Sequence, residues 1–203
     1  MTGRVRKELP PLPTRMLYLP VDERGYPIPE FVSNLDGKRD FRVVSLEHMA
    51  NCISDDICWI CGQRLEALKA FVIGPLPAIQ GFSNEPPSHI ECAEFAVRVC
   101  PFLLLPKAQH RAIAHPKVEK LPRAAKGNPG VCCVYTVRGY AHQERKKGLI
   151  FLTGQAVRVD WYTQGRLATR SEVSAAFKAS ILEFGAPGNE QAVKKRIADL
   201  LPA

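Results

Sequence analysis

The sequence predicts an α+β protein, and three groups of residues lead to that fold class. Cysteine and histidine residues in the first half have the spacing of a metal-binding module, with a strand-like segment between them. Three further strand-like segments follow at residues 131–137, 149–153 and 156–162. Two helical patterns end the chain, and the first of them begins with a capping box. We therefore expect a metal-binding module plus a small antiparallel sheet that is covered by C-terminal helices.

The metal-binding pattern has two halves. Cys58 and Cys61 stand in Cys-Trp-Ile-Cys-Gly, a C-x2-C pair, and His89 and Cys92 form an H-x2-C pair after a gap of 27 residues. Gly62 can adopt the positive φ that lets a zinc knuckle curl around an ion. Three thiolates and one neutral imidazole complete a tetrahedron around Zn²⁺, so we predict one structural zinc ion with these four ligands.

The second pair of ligands is predicted to lie at the start of a helix. Ser88 and Glu91 match the capping-box pattern S-x-x-E, and two prolines oppose an earlier start, so a helix is expected to begin at His89. His89 and Cys92 then share one face of the first turn. The β-branched segment 69–74 predicts a strand between the two ligand pairs. This order of knuckle, strand and ligand-bearing helix resembles the treble-clef arrangement of zinc proteins, so the module is predicted to be treble-clef-like.

Other interpretations of the cysteines remain open. A C-x2-C pair can also be a redox dithiol or part of an iron–sulfur site, and thiols can simply be buried side chains. Cys52 and Cys100 are near enough in sequence to be substitute ligands, although Cys100 lies about two helical turns beyond Cys92. Cys132 and Cys133 are neighbours in an apolar run, so we expect at least one of them to be a small buried hydrophobe.

Proline, glycine and charge divide the chain into four regions. Six prolines in the first 30 residues predict an extended arm that lies against the body or becomes ordered on binding. After it, residues 41–44 predict a strand, and Ser45 can cap a helix that runs to about residue 53. The regions are a proline-rich N-terminal arm (1–40), a zinc-binding module (41–105), a basic linker (106–130) and an α+β C-terminal region (131–203).

The C-terminal region carries its own turn and capping residues. Gly154 lies between the second and third strand-like segments, so we predict a hairpin there. Thr169 and Glu172 form a capping box for a helix over about residues 170–184. A last helix is expected over about residues 189–201.

The charge of the chain favours an anionic partner. Lysine and arginine number 28 against 20 aspartates and glutamates, and this excess favours nucleic acid or a nucleoprotein complex, although it can also serve solubility. A basic cluster at residues 194–196 is expected to lie largely on the outer side of the last helix. The candidate contacts are Lys107, Arg111, Lys117, Lys120, Arg123 and Lys126 in the linker, with Arg145, Lys146 and Lys147 farther on.

Composition also bears on the cellular setting. The chain has no run of about 18 apolar residues, and its basic start is followed by prolines instead of an apolar signal core. Seven cysteines, an odd number, fit a reducing compartment better than a disulfide framework. We expect a soluble, cytoplasmic protein with no membrane partner, and the sequence predicts no particular oligomeric state.

Common catalytic patterns are absent. The sequence contains no G-x-x-x-x-G-K-[ST], G-x-G-x-x-G or G-x-S-x-G, and the cysteine and histidine elements occur in the wrong order for a deaminase. A nuclease of the His-Asn-His kind would need a histidine base beside a separate Mg²⁺ site, and only His48 could be recruited for it. His142 and Glu144 fall in what is predicted to be a charged loop.

Four segments resemble a group of uncharacterised bacterial and phage proteins. They are Leu-Tyr-Leu-Pro-Val-Asp-Glu-Arg-Gly-Tyr-Pro, Cys-Trp-Ile-Cys-Gly, Ala-Phe-Val-Ile-Gly-Pro and Pro-Pro-Ser-His-Ile-Glu-Cys-Ala. The resemblance spans roughly residues 12–105 and, more weakly, residues 166–173. It brings no activity with it and implies a bacterial or phage-infected cytoplasm, where small basic proteins often bind host or viral machinery.

Three classes of function follow from the sequence. We expect a non-catalytic, zinc-stabilised binding protein that contacts nucleic acid or a nucleic-acid-processing complex. The first alternative is a phage-type protein–protein inhibitor or adaptor with a host protein as its partner. The second alternative is a divergent metal-dependent nuclease.

Overall fold

The computed structural model describes residues 4–105, 130–145 and 148–202, and this part of the chain has the predicted α+β class. Its helices are α1 (Leu46–Ser54), α2 (Pro75–Gln80), α3 (Ile90–Val99), α4 (Pro101–Leu104), α5 (Arg170–Phe184) and α6 (Glu190–Leu200). Its strands are β1 (Val32–Leu35), β2 (Lys38–Val44), β3 (Lys69–Ile73), β4 (Phe82–Ser83), β5 (Cys132–Val137), β6 (Ala141–Arg145), β7 (Gly148–Leu152), β8 (Ala156–Thr163) and β9 (Arg166–Leu167). No helix in these residues combines the length and apolar character needed to cross a membrane.

A four-stranded antiparallel sheet with the order β3-β5-β8-β9 lies at the centre of the fold. Phe71 of β3 is opposite Tyr135 of β5, which is opposite Val159 of β8. Strand β3 comes from the predicted metal-binding module, whereas β5 and β8 come from the predicted C-terminal region. The two regions therefore share one sheet.

Helix α3 covers one face of this sheet. Its buried residues Ala93 and Val97 pack with Val134 and Tyr162, and with Cys132 at the start of β5. Alternate residues of a strand point to opposite faces, so neighbouring Cys133 lies in the other core. Both of these cysteines are buried, as was expected for at least one of them.

The opposite face of the sheet packs against α5 and α6. The ring of Trp161 on β8 meets Phe177 of α5 edge-on, with 5.2 Å between the ring centroids. The indole Nε1 of Trp161 donates a hydrogen bond of 2.7 Å to the carbonyl oxygen of Leu200 at the end of α6. This single side chain therefore ties both C-terminal helices to the sheet, which is the covering that the sequence predicts.

The predicted hairpin around Gly154 is wrong. Strand β7 pairs with β4 and β6 in a separate three-stranded sheet, whereas β8 pairs with β5 and β9. Gly154 has a φ of 65° and its carbonyl accepts a hydrogen bond from the Tyr135 hydroxyl, so the turn redirects the chain from one sheet to the other. His142 and Glu144 belong to β6 and not to a loop. All five side chains of β6 are exposed, and its sequence Ala-His-Gln-Glu-Arg does not alternate apolar with polar residues. The pattern that predicts a half-buried strand is therefore missing.

The predicted helix starts are largely confirmed. The Ser45 side chain accepts a hydrogen bond from the backbone N–H of His48 and caps α1. The Thr169 and Glu172 capping box of α5 is complete in both directions. The Asn189 side chain caps α6. Each cap satisfies backbone N–H groups that the first turn of a helix leaves without intrahelical partners.

The N-terminal arm lies on the predicted metal-binding module. Met16 and Leu19 are buried in a cluster with the cysteines of the C-x2-C pair. The Arg15 guanidinium forms ion pairs with Glu66 and, at 2.7 Å, with Glu91 at the start of α3. These contacts fix the arm against the two halves of the module.

Candidate metal centre

The C-x2-C pair forms a tight knuckle. The N–H of Gly62 donates to the carbonyl of Cys58, and the N–H of Cys58 donates to the carbonyl of Gln63, both at 2.8 Å. Gly62 has a φ of 67°, a conformation that an L side chain adopts only with strain. The knuckle predicted from the glycine is therefore present.

His89 and Cys92 reach the knuckle from the start of α3, but the predicted capping box is wrong. His89 is the residue that precedes the helix, and no side chain caps that end. The backbone of Ser88 instead exchanges two hydrogen bonds of 2.8 Å with Ala70 of β3, and Glu91 pairs with Arg15. Backbone pairing with β3 thus sets the position of the histidine. The sequence pattern had predicted that a helix cap would do so.

The four predicted ligands converge. Their donor atoms all lie within 4.8 Å of one another, and Nδ1 of His89 lies 3.4 Å from Sγ of Cys61 and 4.0 Å from Sγ of Cys92. Around a tetrahedral zinc with Zn–S distances of about 2.3 Å, neighbouring sulfur atoms are separated by roughly 3.8 Å. The residues are at most 1% exposed. Cys58, Cys61, His89 and Cys92 are therefore close enough to hold a metal ion, and the donors fit it chemically.

Backbone groups around the cluster orient its donors. Nε2 of His89 lies 2.9 Å from the carbonyl oxygen of Arg64. A carbonyl can only accept, so Nε2 carries a proton, and Nδ1 is the ring nitrogen that faces the sulfur atoms and would bind a metal ion. The N–H groups of Cys61 and His89 both lie 3.4 Å from Sγ of Cys58 and donate to it. Such outer contacts fix the tautomer of a metal-binding histidine and stabilise thiolate charge.

No protein-family model, curated protein or solved structure matches this chain. The resemblance to bacterial and phage proteins stays a prediction.

Hydrogen bonds within the cluster shift the pKa values of Cys58, His89 and Cys92. Burial alone would raise the pKa of Cys58, but hydrogen bonds from Cys61, Cys92 and His89 hold it far below its ordinary value. Burial would lower the pKa of His89, whereas its hydrogen bonds to Cys58 and Cys61 raise it to about 10. Hydrogen bonding to the same two cysteines raises the pKa of Cys92. Without a metal ion, the Cys58 thiolate therefore lies beside a protonated imidazole, and a bound cation would displace the protons from Nδ1 of His89 and from the Cys92 thiol.

The remaining cysteines have a different environment. Burial, followed by the negative charge of Cys58 and Cys61, raises the pKa of Cys52 to about 12. Burial also raises the pKa of Cys100. Within the described residues, neither thiol belongs to the ligand cluster, so the two substitute ligands are not needed. These thiols remain neutral at ordinary pH and behave as apolar side chains.

An aromatic stack covers the knuckle. Trp59, which is 3% exposed, lies between Phe31 and His48, with ring centroids 5.0 and 5.5 Å away. Nε2 of His48 contacts the carbonyl oxygen of Trp59 at 3.0 Å. The sequence pattern pointed to His48 only as a candidate base and gave no sign of Phe31 or of the carbonyl of Arg64. A backbone carbonyl has no side-chain pattern that could have revealed it.

Most of the predicted basic contacts lie outside the described residues. Arg145 is described, and its side chain is exposed at the end of β6. No residue in the described part of the chain forms an ion pair with Arg145. The candidate contacts that lie outside the described ranges are Lys107, Arg111, Lys117, Lys120, Arg123, Lys126, Lys146 and Lys147.

Proposed function

We propose that the cluster binds one Zn²⁺ ion and that this ion stabilises the fold. Three thiolates and an imidazole form a soft, tetrahedral donor set that suits zinc, whereas the common iron–sulfur clusters use four cysteines. Four buried protein ligands fill the tetrahedron and leave no open position for a substrate. The role we assign to the ion is therefore structural.

We further propose that the protein is non-catalytic and binds nucleic acid. The distribution of charge carries this proposal. Residues 106–129 and 146–147 contain eight of the 28 basic residues but one of the 20 acidic residues, so the described residues are nearly balanced. A positive excess confined to short segments suits contacts with phosphate groups better than it suits general solubility.

The nuclease alternative has less support. Its candidate base, His48, uses one ring nitrogen in a contact with the Trp59 carbonyl and stacks on the indole. The other nearby histidine, His89, is a proposed zinc ligand. A hydrolytic zinc site would keep an open coordination position, which a closed set of four ligands does not.

Binding of the zinc-loaded chain to a fluorescently labelled mixed-sequence oligonucleotide tests the proposal. We expect affinity to fall steeply with salt, because phosphate contacts release condensed counterions. The triple variant Lys117→Gln, Lys120→Gln, Lys126→Gln should weaken binding. In a plot of the logarithm of the binding constant against the logarithm of the salt concentration, it should also reduce the magnitude of the slope by about 2–3. Fluorescence anisotropy at several salt concentrations measures both quantities.

A matched control removes the same charge from another surface. Lys178, Lys194 and Lys195 are exposed on α5 and α6, and their replacement by glutamine should leave the salt slope closer to that of the unmodified chain. Equal losses in the two triple variants would show that net charge, and not the linker, drives binding. Absence of salt-dependent binding would contradict the proposal and favour the adaptor alternative, for which the exposed Leu17 and Tyr18 offer an apolar contact surface.

A further inference from the structure

Strand β6 forms an open edge. It is the last strand of the sheet β4-β7-β6, and within the described part of the chain no strand pairs with its outer side. All five of its side chains are exposed, its pairing with β7 has no register shift, and it contains no proline. Bulges and prolines are two of the devices that protect edge strands from pairing. Neither device therefore prevents another strand from pairing with the backbone N–H and C=O groups on the outer side of β6.

Charged side chains are another protective device, and on β6 they have an unusual order. The strand reads Ala-His-Gln-Glu-Arg from residue 141 to residue 145. In an antiparallel pair centred on Gln143, His142 of one strand is opposite Glu144 of the other, and this pair occurs twice. The same register places Ala141 opposite Arg145. No like charges oppose each other, so the charges of β6 fit a second β6 instead of repelling it.

We propose that β6 pairs with β6 of a second copy of this chain. The two strands run antiparallel about a two-fold axis at Gln143, and the two sheets join as β4-β7-β6-β6-β7-β4. Such an interface is isologous, because both copies use the same surface and each contact occurs twice. The dimer uses a surface distinct from the metal centre and is independent of the function proposed above.

A reciprocal charge exchange tests the pairing. In the His142→Glu variant two glutamates oppose two glutamates, and we expect the dimer dissociation constant, measured by sedimentation equilibrium, to rise about tenfold. Adding Glu144→Lys places a glutamate opposite a lysine in two pairs, so the double variant should associate about as tightly as the unmodified chain. Gln191→Glu, on the exposed side of α6, introduces the same charge elsewhere and should leave dissociation unchanged.

Disulfide trapping tests the register. A cysteine at position 143 would lie opposite itself across the axis, with the Cβ atoms about 5 Å apart, whereas cysteines at position 141 would be separated by roughly 14 Å. In a Cys100→Ser background, mild oxidation should join Gln143→Cys chains into dimers much faster than Ala141→Cys chains.

Three outcomes would overturn the proposal: a monomer at all concentrations of the unmodified chain, a double variant no tighter than His142→Glu, or equal cross-linking at the two positions. Far-UV circular dichroism and zinc content confirm that each variant is folded. Because the second substitution is expected to restore association, misfolding of the first variant alone cannot imitate the predicted pattern.

Discussion

Replacing Cys92 by serine is expected to abolish tight zinc binding and to destabilise the N-terminal half of the protein. Cys92 supplies one of four buried donors, and the hydroxyl that replaces it is a poor ligand for zinc. The loss in affinity should exceed the roughly 10–100-fold that removal of an outer-shell partner costs. Metal binding in such sites is coupled to folding, so we also expect a lower melting temperature. Zinc titration with a chromophoric chelator and thermal unfolding by circular dichroism measure the two effects.

Cys52 offers a matched control for this substitution. It is fully buried, but it lies outside the ligand cluster. Cys52→Ala should retain one zinc ion per chain and lose only packing energy. If Cys92→Ser retained zinc with unchanged affinity, or if Cys52→Ala lost it, the assignment of ligands would be wrong.

Replacing Trp161 by alanine is expected to cost about 3–5 kcal/mol in the free energy of unfolding. The side chain is 1% exposed, packs edge-on against Phe177 and donates to the carbonyl of Leu200. Its removal leaves a large cavity and a buried carbonyl without its donor. Because native domains are stable by only about 5–15 kcal/mol, this loss is a large fraction of the total. Urea unfolding in the presence of saturating zinc measures it.

Two further substitutions separate packing from the hydrogen bond. Trp161→Phe retains much of the ring but loses the donor to Leu200, so we expect a smaller cost than for alanine. Leu182 is 89% exposed, and Leu182→Ala should change stability by no more than about 0.5 kcal/mol. A cost below about 1 kcal/mol for Trp161→Ala would contradict the view that this residue joins the helices to the sheet.

The parts predicted well from the sequence are those that local chemistry specifies. The spacing of Cys58, Cys61, His89 and Cys92 identified the cluster, because few other uses require these residue types at these intervals. Ser45 and Thr169 identified two helix starts through hydrogen bonds that form within one turn.

The parts predicted poorly depend on contacts between distant residues. Strand β7 pairs with β6 and β4, yet the turn at Gly154 resembles that of a hairpin with β8. Local sequence indicated where a turn occurs but not which strands it joins. Ser88 shows the same limit. The sequence has the spacing of a capping box between Ser88 and Glu91, but no such cap forms. The backbone of Ser88 pairs with β3 instead, and Glu91 pairs with Arg15 of the arm.

The most direct measurement of the central claim is X-ray absorption spectroscopy at the zinc edge on the purified, reduced chain, with total zinc determined on the same sample. We expect one zinc ion per chain with three sulfur neighbours at about 2.3 Å and one nitrogen neighbour at about 2.0–2.1 Å. Absence of zinc, or a first shell dominated by oxygen, would contradict the proposed Cys58, Cys61, His89 and Cys92 centre.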